Sequence, residues 1–282
     1  MGRQSSVSVI IPTWNRAGTV VAAIESALNQ TYAPLEVLVC DDASTDDTEA
    51  RVRQMSDPRV RWLPGPRGGR PAIPRNRGMA AARGEWLALL DSDDEWVPDK
   101  LRAQIDAVRS SGRLASCTNA WRIVAGVRQP GPLHSGSPSV LGYETMFIGN
   151  MVVTSSALIH RSLLPMVEGF PEAKILTAIE DYALWLRVST LTEFDCLATP
   201  LVLYRDDPAT SVRAEGLTGR DQPVEILDDF LAWCRRHPSF RTLRASLAAR
   251  RHRYKYKLWR VGEIPYYELV RRRLAAVWHH SR

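Results

Sequence analysis

At 282 residues, with 45% hydrophobic and 24% charged side chains, the chain has the composition of a soluble globular protein and the length for a large core. Those figures exclude long disorder, collagen-like structure and coiled coil, and no apolar stretch reaches the roughly 18 residues of a membrane-crossing helix. The net charge of +6 is local: residues 235–282 hold 14 Lys and Arg against two acids, a net of +12, so the other 234 residues carry −6. The apolar run before Pro12 is too short for the core of a secretory signal.

In chain order, Val7–Ile11 is a β-branched run stopped by Pro12 and predicts a strand. From Thr19 to Asn29, Val20, Ile24, Ala27 and Leu28 recur at helical spacing. Glu36–Cys40 predicts a second strand, closed by Asp41 and Asp42, and Ser44–Asp47 has the short polar and acidic residues of a helix start. Val60–Leu63 predicts a third strand, Pro64–Pro74 a loop, Asn76–Arg83 a helix and Glu85–Leu90 a fourth strand; Pro98 opens another helix. Such βα repeats predict an α/β fold with a doubly wound, mostly parallel central sheet flanked by helices. Ligands of these sheets bind beyond the carboxyl ends of the strands. Pro12–Arg16, Asp41–Asp42 and Asp91–Asp94 each follow an apolar strand, so they are expected around one crevice. After about residue 114 the pattern changes to strands at Leu114–Trp121, Val152–Ile159 and Leu197–Tyr204 with a helix at about Glu180–Thr190, and from Gln222 it reads as helices. Leu243, Leu247, Tyr254 and Leu258 form one apolar stripe there, and Tyr266, Val270, Leu274 and Val277 a second.

Asp91-Ser92-Asp93-Asp94 is the most informative tetrapeptide: hard oxygen ligands suit Mg²⁺ or Mn²⁺, which also bind substrate phosphates. Backbone amides of Pro12–Arg16, with Asn15 and Arg16, suit a nucleotide, or equally a plain strand-to-helix turn. Neither a P-loop nor a dinucleotide fingerprint occurs. Arg67 and Arg70, in a loop rich in Pro and Arg, read as solvated residues that a phosphate would also suit, and His160 as a structural histidine. Cys40, Cys117, Cys196 and Cys234 lie far apart, as expected of reduced, mostly buried thiols in a cytoplasmic protein.

PTWNR, VCDDASTDDT, PRNRGMAAARGEWLALLDSDD and IEDYALWLRV occur in an order and spacing that resembles family 2 glycosyltransferases of the GT-A fold, from about Val7 to Tyr204. Pro74 and Trp14 depart from the family's usual Ala and Tyr. The resemblance implies an inverting, metal-dependent transfer of a sugar from a UDP- or dTDP-sugar to a hydroxyl acceptor, in bacterial surface polysaccharide or glycolipid assembly. It implies that Pro12, Thr13, Asn15, Arg16, Arg75 and Ser92 hold the nucleotide sugar, that Asp41 accepts the N3–H of the base, and that Asp91 touches the ribose. Asp93 would ligate Mn²⁺ or Mg²⁺, Asp181 would be the catalytic base, and Glu180 would position it or the acceptor. The Gln-x-x-Arg-Trp signature of processive synthases is absent, which favours transfer of a single sugar.

A catalytic domain is thus expected over 1–221, with a nucleotide-sugar half to about 113 and an acceptor half from 114, followed by a helical basic region over 222–282. That region mixes cations with Tyr and Trp. It suits an anionic membrane surface, packing on the body or a second copy, and less well nucleic acid. The membrane reading implies a cytoplasmic enzyme peripheral on the inner face, with a lipid-linked saccharide as acceptor. A nucleotidyltransferase on a related sheet and a nucleic-acid-binding protein are the competing functions.

Overall fold

The structure, a computed structural model, describes residues 5–206 and 222–260. Its first half runs β1 (Val7–Thr13), α1 (Val20–Leu28), β2 (Glu36–Asp41), α2 (Thr48–Arg53), β3 (Val60–Leu63), α3 (Ala72–Ala81), β4 (Trp86–Leu89), β5 (Glu95–Trp96) and α4 (Lys100–Ser111). The second half runs β6 (Ala115–Val124), β7 (Val127–Arg128), β8 (Val140–Leu141), α5 (Tyr143–Met146), β9 (Leu158–His160), α6 (Leu164–Val167), α7 (Glu180–Leu191), β10 (Phe194–Arg205), α8 (Gln222–Arg236) and α9 (Phe240–Arg260).

One sheet spans both halves in the order β3-β2-β1-β4-β9-β6-β10-β5, with β7 beside β6 and β8 beside β10. The long ladders, β1 with β2 and β6 with β10, are parallel, and β9 enters antiparallel between β4 and β6. All of β1 is buried because helices cover both faces, which is why it reads as a continuous apolar run and not an alternating one. Val7, Val9 and Ile11 face the cluster of α1 and α4, and Ile10 faces the cluster of α3 and α7. Helix α3 lies unusually close to the sheet: a Cβ at Gly78 would come within 2.6 Å of Cys40 Sγ and of Ile10. That approach carries Arg75, one turn earlier, to the strand ends.

Some elements differ from the sequence expectation for physical reasons. Helix α2 starts at Thr48, not Ser44, because Ser44 and Asp46 are spent on the loop after β1: Asn15 N donates to Ser44 Oγ at 2.9 Å and Ala17 N to Asp46 Oδ2 at 3.1 Å. Helix α3 begins at Ala72 and includes Pro74, which the first turn tolerates because a nitrogen there has no helical acceptor, so the missing N–H forfeits no bond. The strand expected at Val152–Ile159 shrinks to β9; Thr154–Ser156 is a 3₁₀ turn, and the side chains of Thr154 and Ser155 bond acids elsewhere.

Helix α8 sends Ile226, Leu227, Phe230 and Trp233 into the apolar cluster that holds Trp185 and Phe147. Trp233 Nε1 donates to Met166 O at 2.8 Å, and Arg187 reaches Asp229 at 2.7 Å. On α9, Thr242, Ala245 and Ala249 point inward. The stripe of larger apolar residues points out: Leu243 is 58%, Leu247 61% and Tyr254 65% exposed, with Phe240 at 74%. The second stripe, Tyr266 to Val277, and the segment 207–221 lie outside the described residues. Cys40, Cys117 and Cys234 are buried and Cys196 half-buried, all as free thiols.

Candidate active site

A cavity of about 680 Å³ opens at the carboxyl ends of the strands. Pro12 and Thr13 line it from the end of β1, Trp14 and Arg16 from the loop after it, Asp42 from just past β2, Arg75 from α3, and Asp91, Ser92, Asp93 and Asp94 from the turn after β4. Glu180 and Asp181, at the start of α7, line the opposite wall. Residues from five separate segments thus meet in one place. A second cleft of about 530 Å³, against α1 and α2, contains none of these residues.

Two sequence candidates stand one position back from the cavity. Asp41 accepts from Ser44, at 2.5 Å from its hydroxyl and 3.0 Å from its amide. Asn15 takes a left-handed backbone, with φ at 51°, and its Oδ1 accepts from Thr45 N at 2.8 Å. Asn15 braces the 44–48 loop against the β1 loop, and Asp41 ties it to the end of β2. Asp42, which sequence reasoning left without a role, faces the cavity. It accepts from Gly68 N at 2.7 Å and Gly69 N at 2.9 Å, and pairs with Arg67. Arg67 in turn lies 3.7 Å over the Trp14 ring. The loop expected to be solvated is therefore tied down, and it brings Arg67 and Arg70 to the cavity wall.

Arg75 joins the two walls. It is buried, donating from Nη2 to Asp91 Oδ1 at 2.6 Å and from Nη1 to Glu180 Oε1 at 2.8 Å. Burial disfavours its charge, but Asp91 and Glu180 outweigh that and keep it protonated. Glu180 Oε2 is buried with no hydrogen-bond partner. Burial raises the Glu180 carboxyl above its usual range, against the pull of Arg75.

Asp181 Oδ2 accepts from Thr154 Oγ1 at 3.1 Å and from Asn150 Nδ2 at 3.3 Å, and Oδ1 from Tyr182 N at 2.7 Å. Burial raises its carboxyl above the ordinary aspartate range, while Arg75 and these donors oppose the rise. A carboxylate shifted this way is a stronger proton acceptor. Asn150, Thr154, His134 and Tyr204 share this end of the cavity. No motif marked them, since they come from irregular segments and from the tail of β10. His160 lies elsewhere, bonded to Ser162 at 2.7 Å and edge-on to Trp86, as a structural histidine.

Asp93 lies 3.5 Å from Arg16, and burial followed by the neighbouring Asp91 charge raises its carboxyl. Asp94 is fully enclosed. It accepts from Ser155 Oγ at 2.5 Å and Arg205 N at 2.8 Å, and burial raises it well above the usual range. Both of its oxygens are thus engaged in holding the turn. No all-protein cage of three or more metal-ligating side chains occurs among the described residues. Mg²⁺ or Mn²⁺ in nucleotide sites takes one or two carboxylates and completes its shell with phosphate and water. Asp93, with Asp91 beside it, fits that pattern: its charge is crowded in a way a cation would relieve.

The model of Glycosyl transferase family 2 matches residues 8–164. The Escherichia coli UDP-Glc:alpha-D-GlcNAc-diphosphoundecaprenol beta-1,3-glucosyltransferase WfaP is 32% identical over 186 residues, 64% of this chain and 69% of its own length. The succinoglycan biosynthesis protein ExoO of Rhizobium meliloti is 44% identical over 113 residues, 40% of this chain; the chain spans only 32% of that relative. Among solved structures, S. aureus TarS 1–349 in complex with UDP-GlcNAc superposes with a TM-score of 0.70 at 17% identity, covering 89% of this chain and 71% of that one. The mannosyltransferase PcManGT of Pyrobaculum calidifontis, in complex with GDP-Man and Mn²⁺, gives 0.60 at 19% identity, covering 98% and 81%. These two likenesses show the fold.

Proposed function

We propose, from the premise that this chain belongs to glycosyl transferase family 2, that it moves one sugar from a UDP- or dTDP-sugar to a hydroxyl of a lipid-linked saccharide, with inversion at the anomeric carbon. The family settles sugar transfer over nucleotidyl transfer. The observation that carries the finer reading is the Arg75 bridge, which fixes Asp91 on the donor wall to Glu180, the neighbour of Asp181 on the other wall. Donor and acceptor then meet between two walls held at a set separation.

Pro12, Thr13, Arg16 and Ser92 hold the nucleotide sugar, with Arg75 and Asp91 behind them. Asp41 takes the N3–H of the base by exchanging its bond to Ser44, and Asn15 keeps that loop in place. Asp93, with Asp91, would hold Mn²⁺ or Mg²⁺, which when bound supplies positive charge to the leaving diphosphate. Asp181 accepts the proton of the acceptor hydroxyl as that oxygen attacks. Its raised carboxyl makes turnover fall, as pH drops, at a higher pH than an ordinary aspartate would give. Glu180 holds Arg75 and thereby Asp91.

The enzyme works at the inner face of the membrane as a peripheral protein held through residues 235–282. Helix α9 supports this: it contains no Asp or Glu, and its exposed side chains mix Phe240, Leu243, Leu247 and Tyr254 with Arg241, Arg244, Arg250 and Arg251. Among the described residues no helix is long and apolar enough to cross a membrane.

A thermal-shift panel of nucleotide sugars, each with Mn²⁺ or EDTA, tests the donor assignment. A true donor at about 100 times its dissociation constant adds about 2.7 kcal/mol, and the gain should vanish with EDTA. Stabilisation by none of the UDP- or dTDP-sugars would refute it.

A further inference from the structure

The 3₁₀ turn Thr154–Ser156 bonds both walls of the cavity with adjacent side chains. Thr154 Oγ1 donates to Asp181 Oδ2 at 3.1 Å. Ser155 Oγ donates to Asp94 Oδ2 at 2.5 Å and accepts from the Asp91 amide at 3.0 Å. The backbone of the turn is itself fixed. Ser155 O accepts from Trp96 Nε1 at 2.7 Å, Ser156 O from Gln104 Nε2 at 2.9 Å, and Ala157 O from Leu89 N at 3.2 Å. Thr154, Ser155 and Ser156 are all buried. A turn anchored to α4, β4 and β5 has little freedom, so its two hydroxyls stand at a fixed distance from each other.

We infer that Thr154 and Ser155 are positioning residues that set the catalytic base against the donor acids. Thr154 orients Asp181 and stabilises its charged form, and Ser155 fixes the turn that presents Asp91 and Asp93. This rests on Asp181 being the base. The groups that face Asp181 are Arg75 from α3, Asp91 from the turn after β4 and Glu180 from its own helix; Thr154 and Asn150 are the neutral donors. A hydroxyl donating to a carboxylate favours the ionised form. Without the Thr154 hydroxyl, Asp181 should hold its proton to higher pH and lose part of its orientation. Without the Ser155 hydroxyl, the donor turn should loosen while the base keeps its partner. The sequence hides this pairing because Thr-Ser-Ser sits in a segment that reads as a strand.

The test compares Thr154→Val, which keeps the shape and removes the hydroxyl, with Thr154→Ser, which restores it, and with Ser155→Ala. The Asp181 carboxyl carbon is titrated by ¹³C NMR in the protein without substrate, its signal identified by loss in Asp181→Asn. UDP binding with Mn²⁺ is measured by calorimetry, and turnover with UDP-glucose and a GlcNAc-diphospholipid. Thr154→Val should raise the Asp181 midpoint by about one to two pH units and lower kcat about 10-fold to 100-fold. UDP affinity should be unchanged, and Thr154→Ser should return both values towards wild type. Ser155→Ala should weaken UDP binding and leave the Asp181 midpoint in place. If Thr154→Val does not fold, Thr154→Ala against Thr154→Ser is read the same way. An unmoved Asp181 midpoint, or a Thr154 change that weakens UDP binding as much as turnover, would overturn the inference. Full turnover in Asp181→Asn would instead remove the base assignment on which it rests.

Discussion

On the proposed donor side of the cavity the acids stand at the ends of buried parallel strands, Asp42 after β2 and Asp91 to Asp94 after β4. On the proposed acceptor side the polar groups come from a 3₁₀ turn, a helix start and irregular loops: Thr154, Asp181, Asn150 and His134. The strands give the donor wall a scaffold with paired backbone on both flanks. The acceptor wall is held by side-chain hydrogen bonds instead. A family can therefore keep one donor geometry while the acceptor wall varies with its loops.

Arg75 is common to both walls, so its removal should break the comparison most severely. Arg75→Met leaves Glu180 buried and Asp91 unpaired, and should cost about 3–5 kcal/mol in urea unfolding. A loss under about 1 kcal/mol would mean that the bridge does not join the walls. Asp181→Asn acts on the acceptor wall alone. It should reduce turnover about 10²-fold or more with the fold unchanged, measured as UDP release from the donor.

Glu36 lies under the donor wall, and changing it should affect that wall's stability and leave the acceptor side alone. Although burial pushes its carboxyl up, the Ser8 hydroxyl, the Arg83 amide and the Arg61 guanidinium together hold it below the usual range. Its stabilisation is therefore present above the unfolded value of about 4.3 and is lost as pH falls through the lower folded value. Glu36→Gln should cost about 1–3 kcal/mol at neutral pH and flatten that acid loss, as read by thermal melts across pH. The smallest expected effect concerns neither wall. Leu243→Ser with Leu247→Ser should weaken sedimentation with anionic phospholipid vesicles about tenfold and leave UDP binding unchanged. Equal binding to vesicles would leave α9 as a packing or pairing surface.

The donor wall was legible because each of its segments follows an apolar strand, and the βα pattern places strand ends together. That Asp42 lines the cavity beside Asp41 was not legible: neighbouring residues leaving a strand point to opposite sides, so Asp41 turns to Ser44 while Asp42 faces the cavity. Glu180 and Asp181 read equally well as acids at a helix start, and only the resemblance singled them out. Asn150, Thr154 and Tyr204 were invisible, since their place depends on β9 and β10 returning beside β4 and β6. The basic tail was legible as charge but not as direction. Leu243 and Leu247 point outward because Thr242, Ala245 and Ala249 are small enough to let α9 pack closely on α8 and α7.

Calorimetric titration of UDP with Mn²⁺ into the wild type, Asp93→Ala and Asp181→Asn tests most directly whether the two walls have separate tasks. The expected result is wild-type affinity in Asp181→Asn and no Mn²⁺-dependent binding in Asp93→Ala. Undiminished Mn²⁺-dependent binding in Asp93→Ala, or its loss in Asp181→Asn, would contradict that division.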